Sequence, residues 1–196
     1  PFTAQEMGAD YVGSSANKCI QGVPGFGFVV ARRSVLAATE GQARSLSLDL
    51  FDQWREMETK GGKWRYTSPT HTVRAFAQAL DELDAEGGVA VRNRRYAENQ
   101  AILVEGMGRL GFEALLPREL QSPIITAFRY PAWQGFTFGA FYHAMQRRRF
   151  VIYPGKVSDA ETFRIGTIGH VFPDDIRQLL VAAEASIDEL RKTVAR

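Results

Sequence analysis

The sequence predicts an α/β chain, and three observations predict it. Two short runs rich in Val, Phe and Tyr, at 9–14 and 26–32, flank a glycine-rich loop and read as strands. Two long helical patterns occupy 69–110. Beyond Gly111, strand-like and helix-like segments alternate, which makes the last third a compact α+β domain with strands covered by helices.

Each element has a local reason. Residues 34–39 read as a brief helix, and 41–64 as loop plus one helix. The pattern from 69 is clearer: Ser68 supplies a capping side chain, and Pro69 takes the first helical position, where a missing N–H costs nothing. Val73, Phe76, Ala77, Leu80 and Leu83 follow at helical spacing until Gly87 and Gly88 end the run. The next helix lines up Tyr96, Leu103, Met107 and Leu110 and stops at Gly111. Strands are expected at 112–116, 123–130, 150–153 and 162–168, with a helix at 137–148. A final helix over 174–191 buries Ile176, Leu179, Leu180, Ala183, Ile187 and Leu190.

Composition narrows the function. The 196 residues carry 24 basic and 22 acidic side chains, a near-balance with no global attraction to nucleic acid or an anionic membrane. The single cysteine, Cys19, excludes an internal disulfide and fits a reducing compartment. No apolar run reaches the roughly 18 residues of a membrane span, and no basic-then-apolar leader is present. A soluble cytoplasmic protein is the expectation. The chain opens on Pro1, and a buried-strand pattern follows almost at once, so it reads as the later part of a longer protein.

Three places combine reactive side chains with a shaped backbone. The first is Lys18, between a strand and the loop "GVPGFG". At pH 7 only about one free lysine in 2500 is the nucleophilic amine; burial or a cationic neighbour lowers the pKa and opens imine chemistry. The alternative is a surface lysine. The second is Tyr66-Thr67-Ser68-Pro69-Thr70-His71, where hydroxyls at a helix N-terminus form either an anion site or an ordinary cap. The third is "TFRIGTIGH". Phe163 and Ile165 face one side of its strand and Arg164 the other, with Gly166 leaving room for an approaching group. Arginine's planar fork suits a carboxylate or phosphonate, or else a structural salt bridge. His71, His143 and His170 lack metal-ligand spacing. Arg92-Asn93-Arg94-Arg95 reads as a solvated helix face, and Arg147-Arg148-Arg149 as cations closing a helix.

The blocks "SSANKCIQGVPGFGFVVARR", "GQARSLSLDLFDQW", "KWRYTSPTHTVRAF", "LQSPIITAF", "FVIYPGK" and "TFRIGTIG" occur in this order. They resemble the 2-aminoethylphosphonate–pyruvate transaminases of the class V, fold type I, pyridoxal-phosphate aminotransferases, over essentially the whole chain. The resemblance implies the end of a large cofactor-binding domain at 1–66, bridging helices at 67–110 and a small α+β domain at 111–196. It implies that Lys18 holds pyridoxal 5'-phosphate as a Schiff base and that Asn17 lies near the cofactor phosphate. Thr67 would reach the phosphate of the neighbouring subunit's cofactor, so a homodimer completes the site. Arg164 would grip the acid group of 2-aminoethylphosphonate or pyruvate. Arg44 is a candidate second anion contact or a structural pair. The resemblance also implies that the glycine/serine phosphate loop, the stacking aromatic and the aspartate for the ring nitrogen precede Pro1. Residues 1–196 alone would then neither bind the cofactor tightly nor turn over. An alanine–glyoxylate or serine–pyruvate transaminase shares the lysine, threonine and arginine; a non-catalytic binding domain on the same scaffold is the reading from another class.

Overall fold

The computed structural model describes residues 3–155 and 161–194; Pro1 and Lys156, which ends the "FVIYPGK" block, lie outside them. The chain divides into two compact units, Pro1–Ala85 and Glu86–Arg196.

The first unit starts with an antiparallel ribbon. β1 (Tyr11–Ser15) pairs with β2 (Gly27–Ala31) so that Tyr11 opposes Ala31 and Ser15 opposes Gly27. The glycine loop therefore joins neighbouring strands, as its turn residues require. α1 (Arg33–Ala37) follows directly. α2 (Leu50–Thr59) begins where the Asp49 side chain accepts a bond from the Asp52 amide at 3.0 Å. α3 (Thr70–Glu86) starts one residue past the expected proline, whose carbonyl accepts from the Val73 amide at 3.0 Å. Leu83 and Ala79 are buried on it, but Leu80 is 38% exposed and does not join the expected apolar face.

Gly87, at φ +106°, separates α3 from α4 (Gly88–Arg109) in a conformation that few other residues adopt. In the second unit, α4 and α5 (Phe138–Arg147) both pack on α6 (Pro173–Val194). The Thr137 hydroxyl caps α5 by accepting from the Ala140 amide. These helices cover one face of a three-stranded antiparallel sheet, in the order β3 (Ile125–Arg129), β5 (Thr162–Gly166), β4 (Tyr153–Pro154). Phe163, fully buried, is the centre of the core, with the rings of Phe112, Phe141 and Phe128 at 5.3, 5.5 and 5.8 Å. Leu103, Met107, Met145, Ile176 and Ile187 complete the packing.

Three expectations for this unit need correction. The strand expected at 112–116 is a single bridge, Ala114 to Phe128, because the chain turns away into Pro117 and a 3-10 turn at Arg118–Leu120. The strand expected at 150–153 shrinks to its end. Arg149, at φ +69°, and the Phe150 amide, bonded to the Met145 carbonyl, are still closing α5.

The run Arg92–Arg95 is not a solvated face. Arg92 and Arg95 are only 4% and 9% exposed, and each places Nε 2.8 Å from the Glu86 carboxylate. Arg95 also donates through Nη1 to the carbonyls of Gly169 and Val171, in the loop after β5, at 2.9 and 2.6 Å. Its guanidinium lies 4.7 Å from the Phe172 ring centroid. Spacing of i, i+3 puts both arginines on one side of α4, and the carboxylate that draws them inward comes from before the glycine break.

Candidate active site

Lys18 lies in the turn that leaves β1. Ala16, fully buried, fixes that turn: its amide donates to Phe26 O at 3.3 Å, and its carbonyl accepts from the Gly22 amide at 2.9 Å. The Gln21 amide closes on the Lys18 carbonyl at 2.8 Å, with Gln21 itself at φ +67°. Side-chain-bearing residues adopt that conformation rarely, and the surroundings must enforce it.

The glycines show what enforces it. A Cβ on Gly22 would sit 2.8 Å from the Ala16 carbonyl oxygen and 3.3 Å from the Phe76 ring. Gly25, at φ +151°, would meet the Thr72 methyl at 2.7 Å. Thr72 and Phe76 belong to the first two turns of α3. The Phe76 ring in turn packs on Phe26 and Phe28, both at 5.3 Å between centroids. The Lys18 loop is thus clamped to the helix whose N-terminal approach carries Thr67. The sequence reading missed this clamp; its signal was the alternation of Phe and Gly in "GFGF".

Lys18 is exposed in this chain, and its Nζ donates to Asn17 Oδ1 at 3.3 Å. Asn17 is half-buried and Thr67 exposed. Arg44 is exposed on a bend before α2 and makes no ion pair among the described residues. A cavity of about 510 Å³ in the same unit is lined by Phe28, Val29, Trp54, Met57 and Trp64, and not by Lys18, Asn17 or Thr67.

In the second unit, Arg164 occupies the middle of the central strand, β5. Phe163 and Ile165 point into the core, and Arg164 projects from the opposite, open face, as alternation demands. Its direct neighbours in register are Ala127 on β3 and Tyr153 on β4. Arg164 Nε donates to the Pro154 carbonyl at 3.2 Å, and among the described residues the guanidinium makes no ion pair. A structural salt bridge therefore does not occupy it there.

Gly166 has room beside it: an added Cβ would meet only Ile124 O at 3.9 Å. Gly155, by contrast, is closely packed. The Gly155 amide bonds the Thr162 carbonyl at 2.8 Å, and a Cβ there would collide with that carbonyl and with Thr162 Oγ1. Gly155→Ala should force β4 off β5 and lower stability by about 1–3 kcal/mol. The check is urea unfolding, and an unchanged midpoint would show that the clamp is loose.

Among the described residues no group of three or more His, Cys, Asp or Glu could hold a metal ion. No described helix is long and apolar enough to cross a membrane.

Solved structures share this architecture. Pyridoxamine–pyruvate aminotransferase from Mesorhizobium loti superposes with a TM-score of 0.83 at 21% identity, over 97% of this chain and 49% of that one. Alanine–glyoxylate aminotransferase from Nostoc sp. gives 0.80 at 19%, over 95% of this chain and 50% of that one. The fold is that of the fold type I aminotransferases. No protein-family model matches the chain. Curated relatives are much closer in sequence. The 2-aminoethylphosphonate–pyruvate transaminase of Syntrophobacter fumaroxidans is 67% identical over 184 residues, 94% of this chain and 50% of the relative. That of Aeromonas hydrophila is 62% identical over 182 residues, 93% and 48%. In sequence the chain closely resembles the 2-aminoethylphosphonate–pyruvate transaminases, and it spans about half the length of the curated relatives it matches.

Proposed function

We propose that the protein carrying this chain is a pyridoxal-phosphate-dependent transaminase. It moves the amino group of 2-aminoethylphosphonate to pyruvate, giving phosphonoacetaldehyde and L-alanine. The observation that carries the reading is 67% identity over 94% of the chain to a relative of that name. We take residues 1–66 as the end of the cofactor-binding domain, 67–110 as bridging helices and 111–196 as the small domain. A cytoplasmic homodimer is the assembly we propose.

The donor set suits the cofactor. Lys18 offers a primary amine on a loop that cannot drift, and Asn17 and Thr67 offer the amide and hydroxyl that a phosphate takes. When bound, pyridoxal phosphate supplies a carbonyl for amines and a ring that takes up an electron pair. Lys18 Nζ anchors it and, as a free amine, takes a proton from the amine-bearing carbon of the substrate. Asn17 Oδ1 orients that amine. Thr67 binds the phosphate of the partner subunit's cofactor. Arg164 holds the acid end of either substrate through its two terminal nitrogens, its Nε already engaged by Pro154. Arg44 is assigned as a second anion contact.

The complete protein, loaded with pyridoxal phosphate and given no keto acid, tests the reading in separate cuvettes. Both 2-aminoethylphosphonate and alanine should discharge the visible absorbance of the lysine-bound cofactor, and serine should not. Response to alanine or serine without 2-aminoethylphosphonate would keep the transaminase and discard the phosphonate donor.

A further inference from the structure

We propose that Tyr153 is a specificity-determining residue. Its hydroxyl donates a further hydrogen bond to an acid group held on Arg164, and so favours a three-oxygen phosphonate over a two-oxygen carboxylate. The inference rests on Arg164 being the acid-binding residue.

Antiparallel register sets Tyr153 directly opposite Arg164. Opposed residues project from the same face, with Cβ atoms about 4.5–5.5 Å apart. On the other flank the residue directly opposite Arg164 is Ala127, whose methyl carries no polar atom. Tyr153 is 55% exposed and packs little of its ring. Among the described residues its hydroxyl has no hydrogen-bond partner.

The arginine is aimed by backbone. Its Nε is held by the Pro154 carbonyl, the residue next to Tyr153, which leaves Nη1 and Nη2 for a ligand. Those two parallel donors match two oxygens of either acid. A phosphonate has a third oxygen that the fork does not serve, and a phenolic O–H on the adjoining strand is a donor of suitable type and reach. Nor can the two strands drift apart, because Gly155 closes on Thr162 with no room for a side chain. Arg129, exposed on the same face and opposite Thr162, is the rival source of any phosphonate preference.

Tyr153→Phe in the complete protein removes the hydroxyl and keeps the ring. Methylphosphonate and acetate serve as competing acids, alongside kcat/KM for 2-aminoethylphosphonate and for alanine. Inhibition by methylphosphonate should weaken roughly 10- to 100-fold and that by acetate less than about threefold, the difference expected for one bond to a charged group. The kcat/KM for 2-aminoethylphosphonate should fall with the first and that for alanine should follow the second. Equal weakening of both acids, or of neither, overturns the proposal. So does a selective loss from Arg129→Gln with Tyr153→Phe silent. Selective methylphosphonate binding through Tyr153 in a protein that takes no amine from 2-aminoethylphosphonate would sustain the site and sink the assigned reaction. A wild type that binds neither acid sinks both.

Discussion

In the complete protein, and on the function proposed above, Lys18→Ala should fold normally and lose transamination by about 10⁴-fold, the upper range for a positioned proton carrier. The stability half of this follows from exposure. Lys18 lies on an exposed turn, and its recorded side-chain bond is a 3.3 Å contact to its neighbour Asn17. Exposed substitutions of this kind stay within about 0.5 kcal/mol. The loop keeps its shape without the amine, because Ala16, Gly22 and Gly25 fix it through backbone and through contacts with α3. Circular dichroism and urea unfolding of the variant should therefore overlay the wild type. Activity divides the readings: a protein that binds cofactor but exchanges no amino group assigns the proton transfer to Nζ. Partial recovery on adding a small primary amine would confirm that a missing amine, not a distorted loop, is the defect. Activity within tenfold of wild type would make Lys18 a surface lysine.

Glu86→Ala should strongly destabilise the second unit. It removes the carboxylate that faces two buried guanidiniums and leaves Arg95, 9% exposed, with carbonyl dipoles and aromatic faces but no described anion beside it. Removing one partner of a buried ion pair costs about 3–5 kcal/mol. The same cluster makes a pH prediction. The hydrogen bond from Arg95, helped by that from Arg92 and opposed by burial, holds the Glu86 carboxyl below its usual range. A carboxyl depressed in the folded state stabilises fully above its unfolded pKa, near 4.3, and that contribution fades as pH falls through the folded value. Wild-type unfolding midpoints should thus drop below about pH 4, and Glu86→Gln should flatten this acid slope. An acid slope identical in the variant would show that other carboxyls carry it.

The misreading of Arg92 and Arg95 shows where sequence stops. Four polar residues in a row on a helix are compatible with water or with a buried carboxylate, and only the fold brings Glu86 to them. The loop of Gly169 and Val171, 74 and 76 residues away, adds carbonyl acceptors that no local pattern announces. The shortened strands have a related cause. Residues 112–116 and 150–153 carry strand-like residues, but pairing is decided by turns on either side.

Other features were legible because their causes are local or periodic. Helical spacing and glycine stops located α3 and α4, and strand alternation put Arg164 on the face away from Phe163 and Ile165. Ordered motifs nominated Lys18, Asn17 and Thr67, and the "SSANKCIQGVPGFGF" block pointed to the relatives that sequence comparison then gave. Sequence by itself determined the long helices and the face on which Arg164 stands, and it nominated the reactive side chains, since residue type and spacing act over a few positions. Tertiary structure alone decided that the Lys18 loop is clamped on Phe76 and Thr72, that Glu86 neutralises buried arginines, and that Tyr153 stands beside Arg164. Each of these depends on which distant segments meet, and meeting is fixed by packing and register.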